Sequence, residues 1–181
     1  MEKADNTKKY ECFAHNLYRF GFPMTHNGTN TANIKIEELI IRILAEIPDP
    51  RFILGIPVIM HKNKIDIDKI YKLSIKYDVI NPVGWILEEA YNTYNRCANI
   101  ERKEIKNLIN LLEPLKKEEE QIISVEKYDG WFRKYAKKRQ TNSAKKWHIL
   151  SGFTEDGFDY EFKRRCLISL QEALEELIKK N

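Results

Sequence analysis

The chain has 181 residues, of which 43% are hydrophobic and 32% charged, with a formal net charge of +4. The length fits one domain, the composition excludes a disordered chain, and seven Gly with six Pro leave room for long regular elements. The three cysteines, Cys12, Cys97 and Cys166, are unclustered, which excludes a disulfide framework, and the longest apolar run, Phe52 to Met60, is too short to cross a bilayer.

The opening residues, MEKADNTKKYE, lack the apolar core of a secretory leader, so the expectation is a soluble, cytoplasmic protein with no membrane partner. Residues 10–20 predict one short helix, with Cys12, Phe13, Leu17 and Phe20 near one face. The following stretch, 21–33, is rich in Gly, Asn and Thr and predicts a loop. Residues 1–33 are therefore read as an N-terminal helix and polar loop, and 34–181 as the helical domain.

From Ile34 the apolar positions Ile36, Leu39, Ile40, Ile43, Leu44 and Ile47 recur at helical spacing, and Pro48-Asp49-Pro50 ends the run. RFILGIPVIM (51–60) is apolar nearly all round and predicts a buried helix kinked at Pro57. Asp66 or Asp68 caps the next helix, carried by Ile70, Leu73 and Tyr77. A turn at 78–81 leads to a helix with Pro82 in its first turn. Its stripe is Val83, Ile86, Leu87, Ala90, Tyr91 and Tyr94.

Ile105, Leu108, Ile109 and Leu112 mark a helix over 100–115, ended or kinked by Pro114. Ile122, Val125, Tyr128, Phe132 and Tyr135 suggest another over 116–139. Thr141 to Ser143 breaks it, Trp147 to Leu150 is a short apolar element, and a loop leads to a long amphipathic helix over 158–179. No segment alternates apolar and polar residues over a useful length. The fold expected is all-α: one multi-helix domain, either an orthogonal bundle or stacked helical hairpins.

Charge is unevenly placed. Residues 129–148, DGWFRKYAKKRQTNSAKKWH, hold seven Lys or Arg against one Asp, a net of +6, which leaves about −2 for the rest of the chain. On a helix, Lys127, Lys134 and Lys138 share one row, Arg133 and Lys137 the next, and Arg139, Lys145 and Lys146 continue the cluster. Such rows neutralise phosphates, and aromatic rings among them can stack on unpaired bases. Phe132 and Tyr135 sit at core spacing, so Trp131 and Trp147 are the aromatics read as free to stack. A solvated helix face accounts for the same pattern.

Four other patterns in the sequence bear on function. Residues 68–96 have the outline of a helix–turn–helix, with Leu73, Ser74 and Val79 in apolar or small positions. Its second helix, however, carries Glu88 and Glu89 with Arg96 as its one cation, which opposes phosphate contact. The segment NPVGWILEEA (81–90) resembles helical segments of bacterial and archaeal antitoxin-type regulators of the abortive-infection class, a resemblance covering about ten residues. Cys12, His15 and His26 offer metal-binding side chains but lack the second close pair of a structural zinc site, so no cofactor is expected. Asp156, Asp159 and His148 could serve a metal-dependent hydrolase, but Asp156 and Asp159 also suit the start of the last helix.

The function expected is a binding protein without enzymatic activity, a nucleic-acid-associated regulator or subunit that contacts phosphates through 127–147. The alternative is a protein–protein module, such as an antitoxin or adaptor, docking a partner or second copy through 51–60 or the C-terminal helix. The third class is the hydrolase.

Overall fold

The computed structural model describes residues 2–26, 32–123 and 130–167. The first helix, α1 (Glu2–Arg19), is longer than the sequence pattern suggests and buries Phe13, Ala14 and Leu17. These join the same apolar cluster as the following helices. Asn16, fully buried, ties down the loop after α1. Its Nδ2 donates to the Cys12 carbonyl at 2.8 Å and the Ala32 carbonyl at 2.9 Å, while Oδ1 accepts from the Ile34 amide at 3.0 Å.

α2 (Ile36–Glu46) buries Leu39, Ile40, Ile43 and Leu44 as its spacing predicts, with Ile41 as well. α3 (Pro50–Lys62) starts from Asp49, whose Oδ1 accepts from the Arg51 amide at 2.8 Å, with Pro50 in the first turn. Pro57 lies inside α3, and its carbonyl accepts from the Tyr94 hydroxyl at 2.6 Å. Gly55 lets Phe22 lie flat on the helix, since a Cβ there would sit 2.8 Å from the ring.

Of the two candidate caps, Asp66 begins α4 (Ile67–Lys76), accepting from the Lys69 amide at 3.0 Å. Buried Glu37 of α2 holds this corner, accepting from the Asp66 amide at 3.1 Å and lying 3.3 Å from Lys69 Nζ. The turn into α5 (Ile80–Ala98) places Asp78 at φ 57°, the left-handed region where glycine is favoured.

α5 is the central element. It packs on α2, α3 and α4, on α6 (Lys103–Leu112), and on α8 (Asn142–Lys146) and α9 (Glu155–Phe162). Every residue from Asn81 to Leu87 is buried, as expected for a helix apolar on all sides. These opening turns are the part of a second helix that would enter a DNA groove, so their enclosure lends the helix–turn–helix reading of 68–96 no support. A 3₁₀ turn at Glu113–Leu115 extends α6.

The helix expected over 116–139 is corrected. Residues 116–123 are not helical, 124–129 lie outside the described residues, and α7 spans Gly130–Arg139. The charged run KKEEEQ has no apolar stripe to bury. Instead Asn81 holds the chain extended: its Nδ2 donates to the Lys117 carbonyl and its Oδ1 accepts from the Lys117 amide, each at 2.8 Å. Strand β1 (Gln121–Ile122) then pairs in parallel with β2 (Ile149–Leu150). Neighbouring Ile122 and Ile123 point to opposite sides, one exposed and the other buried.

The architecture is all-α, with this short pair as the β structure among the described residues. The last helix starts at Glu155 rather than Phe158 and passes into a π-helical turn at Lys163–Leu167. Phe158, Phe162 and Cys166 face the core as expected, and residues beyond 167 are outside the described set. No described helix is long and apolar enough to cross a membrane.

His61 gives this core a dependence on pH. Its ring packs against those of Tyr94 and Phe162, with centroids at 5.6 and 5.0 Å, and Nδ1 is buried without a hydrogen-bond partner. Burial, then the charges of Arg102 and Lys62, hold its pKa below the ordinary value of 6.5. The unfolded chain therefore binds the extra proton first, and stability is lost as the pH falls below that value. Thermal midpoints measured at pH 7.5 and 5.5 should differ less in His61→Phe than in the wild type; an equal difference would exclude His61 as a cause.

Candidate nucleic-acid interface

The basic segment runs along α7 and α8. Lys134, Lys137, Lys138 and Arg139 on α7 and Lys145 on α8 are all exposed. Among the described side chains of α7, Ala136 is fully buried, and α7 contacts β2. Among the described residues, Lys134, Lys138 and Lys145 pair with no carboxylate. Lys137 reaches Glu120 at 3.9 Å, with its side chain still 60% exposed, a surface pair worth little. The Arg139 guanidinium lies 5.1 Å from the Tyr135 ring centre and donates to its hydroxyl. Tyr135, expected in the core, is exposed.

Two members of the predicted set serve the interior instead. Trp147, read as a free aromatic, is completely buried. Its ring lies on Gly84 of α5 so closely that a Cβ there would be 2.3 Å from Cζ3. Its Nε1 donates to Glu88 Oε2 at 2.6 Å. Trp147 cannot stack on a base, because a ring needs an open face to do so. Lys146 folds inward beside it, 3.2 Å from Glu88 and 3.1 Å from Glu113. Burial works against its charge, but Glu113 and Glu88 outweigh that and raise its pKa above the ordinary lysine value.

Lys127 lies outside the described residues. Trp131 and Arg133 lie on α7, their side chains outside the described set.

The sequence reading treated Glu88 and Glu89 only as charges unfavourable to DNA. Here they fasten α8. Glu89, completely buried, accepts at Oε1 from Trp85 Nε1 at 3.1 Å and from the hydroxyls of Thr141 and Ser143. Thr141 also caps α8, accepting from the Ala144 amide at 3.1 Å. Burial pushes the Glu89 carboxyl above its ordinary pKa, against the lowering effect of its three donors. Gly84 was the available signal: glycine inside a strong helical pattern costs stability and often marks a close approach.

The other constellations separate in space. Asp159 forms a two-bond pair with Arg96 at 2.8 and 3.0 Å. Its own burial would raise the carboxyl, but Arg96 holds it below the ordinary value. Asp156 is exposed, and His148 sits 3.4 Å from Glu118, at the edge of the β pair. His15 and His26 meet edge to face at 5.0 Å, but no three or more His, Cys, Asp or Glu gather as metal ligands among the described residues. The docking surface suggested at 51–60 is largely internal, with Phe52, Ile53, Ile56, Val58, Ile59 and Met60 at zero exposure in the core.

Comparison with protein-family models, with curated proteins and with solved structures finds no match for this chain.

Two substitutions test how α8 is held. Gly84→Ala should destabilise the protein by about 1–3 kcal/mol, because the Trp147 ring and α5 must separate; urea unfolding would detect this, and an unchanged midpoint would contradict the close approach. Glu89→Leu should cost on the order of 1–3 kcal/mol by leaving buried donors unmatched, whereas Glu89→Gln keeps an acceptor and the shape and should cost much less. Equal losses in the two variants would mean that the carboxylate charge, not the acceptor, is what matters.

Proposed function

We propose that the protein is a non-enzymatic, nucleic-acid-associated regulator or subunit that contacts phosphates through α7 and α8. The observation carrying this reading is the run of exposed cations Lys134, Lys137, Lys138, Arg139 and Lys145 on consecutive elements, three of them without a carboxylate partner among the described residues. The rest of the chain sums to about −2, so the positive field is local, and a polyanion responds to local field. Lysines without a carboxylate partner can neutralise phosphates, which releases the counterions condensed on the nucleic acid.

Of the two surfaces suggested for a protein-docking module, 51–60 is enclosed by its own fold, and the C-terminal helix beyond 167 lies outside the described residues. The hydrolase reading loses support because Asp159 is committed to Arg96 and His148 lies beside Glu118.

Replacing Lys134, Lys137 and Lys138 together by Glu tests the reading. All three are exposed, so helicity by circular dichroism should be retained. Affinity for a labelled oligonucleotide should fall at least tenfold, and the salt slope should flatten by about 2.7 in log–log form for three lost contacts. A folded triple variant that binds as the wild type does would refute the proposal.

A further inference from the structure

We infer that Glu118, Glu119 and Glu120 are a built-in counter-charge that competes with phosphate for the basic surface of α7 and α8. This inference rests on the reading above and concerns the regulation of that same surface.

The acidic run lies against the cations it opposes. Glu120 Oε2 is 3.9 Å from Lys137 Nζ on α7, and Glu118 Oε2 is 3.4 Å from His148 Nε2, just beyond α8. Lys116 Nζ, earlier on the same arm, donates to the Lys146 carbonyl at the end of α8 at 3.3 Å. Backbone bonds fix the arm on both sides of the carboxylates. Asn81 holds both backbone groups of Lys117, and the amides of Gln121 and Ile123 donate to the carbonyls of His148 and Leu150. The three residues between those anchors are kept beside the basic segment by the main chain.

Their side chains are thereby spared from holding the fold. All three are exposed, the Glu118 side chain at 84%. In the pair of Lys137 with Glu120 the side chains are 60% and 37% exposed, and such a surface pair is worth about a 1.5- to fivefold factor. A carboxylate placed there adds little stability, yet it opposes a second anion at the same lysine. A phosphate that reaches Lys137 has to displace Glu120 and enter the field of Glu118 and Glu119, and like charges brought together at an interface repel.

The test replaces the run in the full chain, Glu118→Gln, Glu119→Gln and Glu120→Gln together. Binding is followed by the anisotropy of a labelled oligonucleotide, presented as a single strand and as a duplex. A control variant makes the same change of net charge on other parts of the chain, with Asp68→Asn, Glu101→Gln and Asp156→Asn, all at exposed residues. At 50 mM salt the first variant should bind about three- to tenfold more tightly than the wild type, and the control less than about twofold more tightly. The gain should shrink at 200 mM, because a fourfold rise in salt roughly halves the Debye length. Circular dichroism and the urea midpoint should match the wild type, since backbone bonds hold the arm. A gain accompanied by a lowered midpoint would overturn the inference, because the carboxylates would then be holding the arm in place. Measurable binding equal to that of the wild type, or an equal gain in the control, would also overturn it and leave the phosphate-binding proposal standing. Absence of binding by the wild type and both variants at 50 mM salt would overturn that proposal itself.

Discussion

The seating of Trp147 on Gly84 fixes the placement of the basic segment. A helix turn followed by a tryptophan can lie against α5 only where α5 has no side chain, and Gly84 supplies that gap. The approach puts the indole Nε1 within reach of Glu88 and brings Thr141 and Ser143 to Glu89. Each contact then limits the others. The ring sets the depth of α8, the two glutamates set its rotation, and Lys146 is drawn in by Glu88 and Glu113. What remains outside is a row of cations whose positions follow from a buried ring.

Buried glutamates carry a penalty that a hydrophobic side chain would not. Glu89 keeps that penalty moderate by receiving three donors at one oxygen, with none at the other. An apolar residue would pack there, but Trp85, Thr141 and Ser143 would each need another acceptor. Polar contacts of this kind tend to specify one arrangement rather than add much stability. Here they distinguish the seated α8 from a helix merely resting on the core.

Helices with one apolar stripe were legible in the sequence. α2 and α6 bury the residues their spacing selects, and in α4 Ile70 is buried with Leu73 and Tyr77 half-buried against the core, because a stripe at period 3.6 has one way to meet the core. The enclosed α3 was legible too, since its circumference is apolar nearly all round. The stretch at 116–123 was not, because what holds it is a side chain 36 residues away: Asn81 bonds both backbone groups of Lys117. Within the basic segment, Lys134, Lys137 and Lys138 were legible as a solvated row because charge decides their side. Trp147 was misread because its neighbours are lysines, whereas its burial is decided by a glycine on another helix.

The parallel pairing of Gln121 with Ile149 and of Ile122 with Leu150 closes a loop that contains both α7 and α8. Such closure trades chain entropy for a few backbone bonds, and contacts between distant residues slow folding. The central helices can assemble from neighbouring segments, whereas this loop must wait for its two ends. Gln121 and Ile123 donate to His148 and Leu150 at 2.8 and 3.1 Å, so these amides act as the clasp of a late-forming unit. The surface that carries the charge therefore lies on a segment whose two ends are joined to each other as well as to the body.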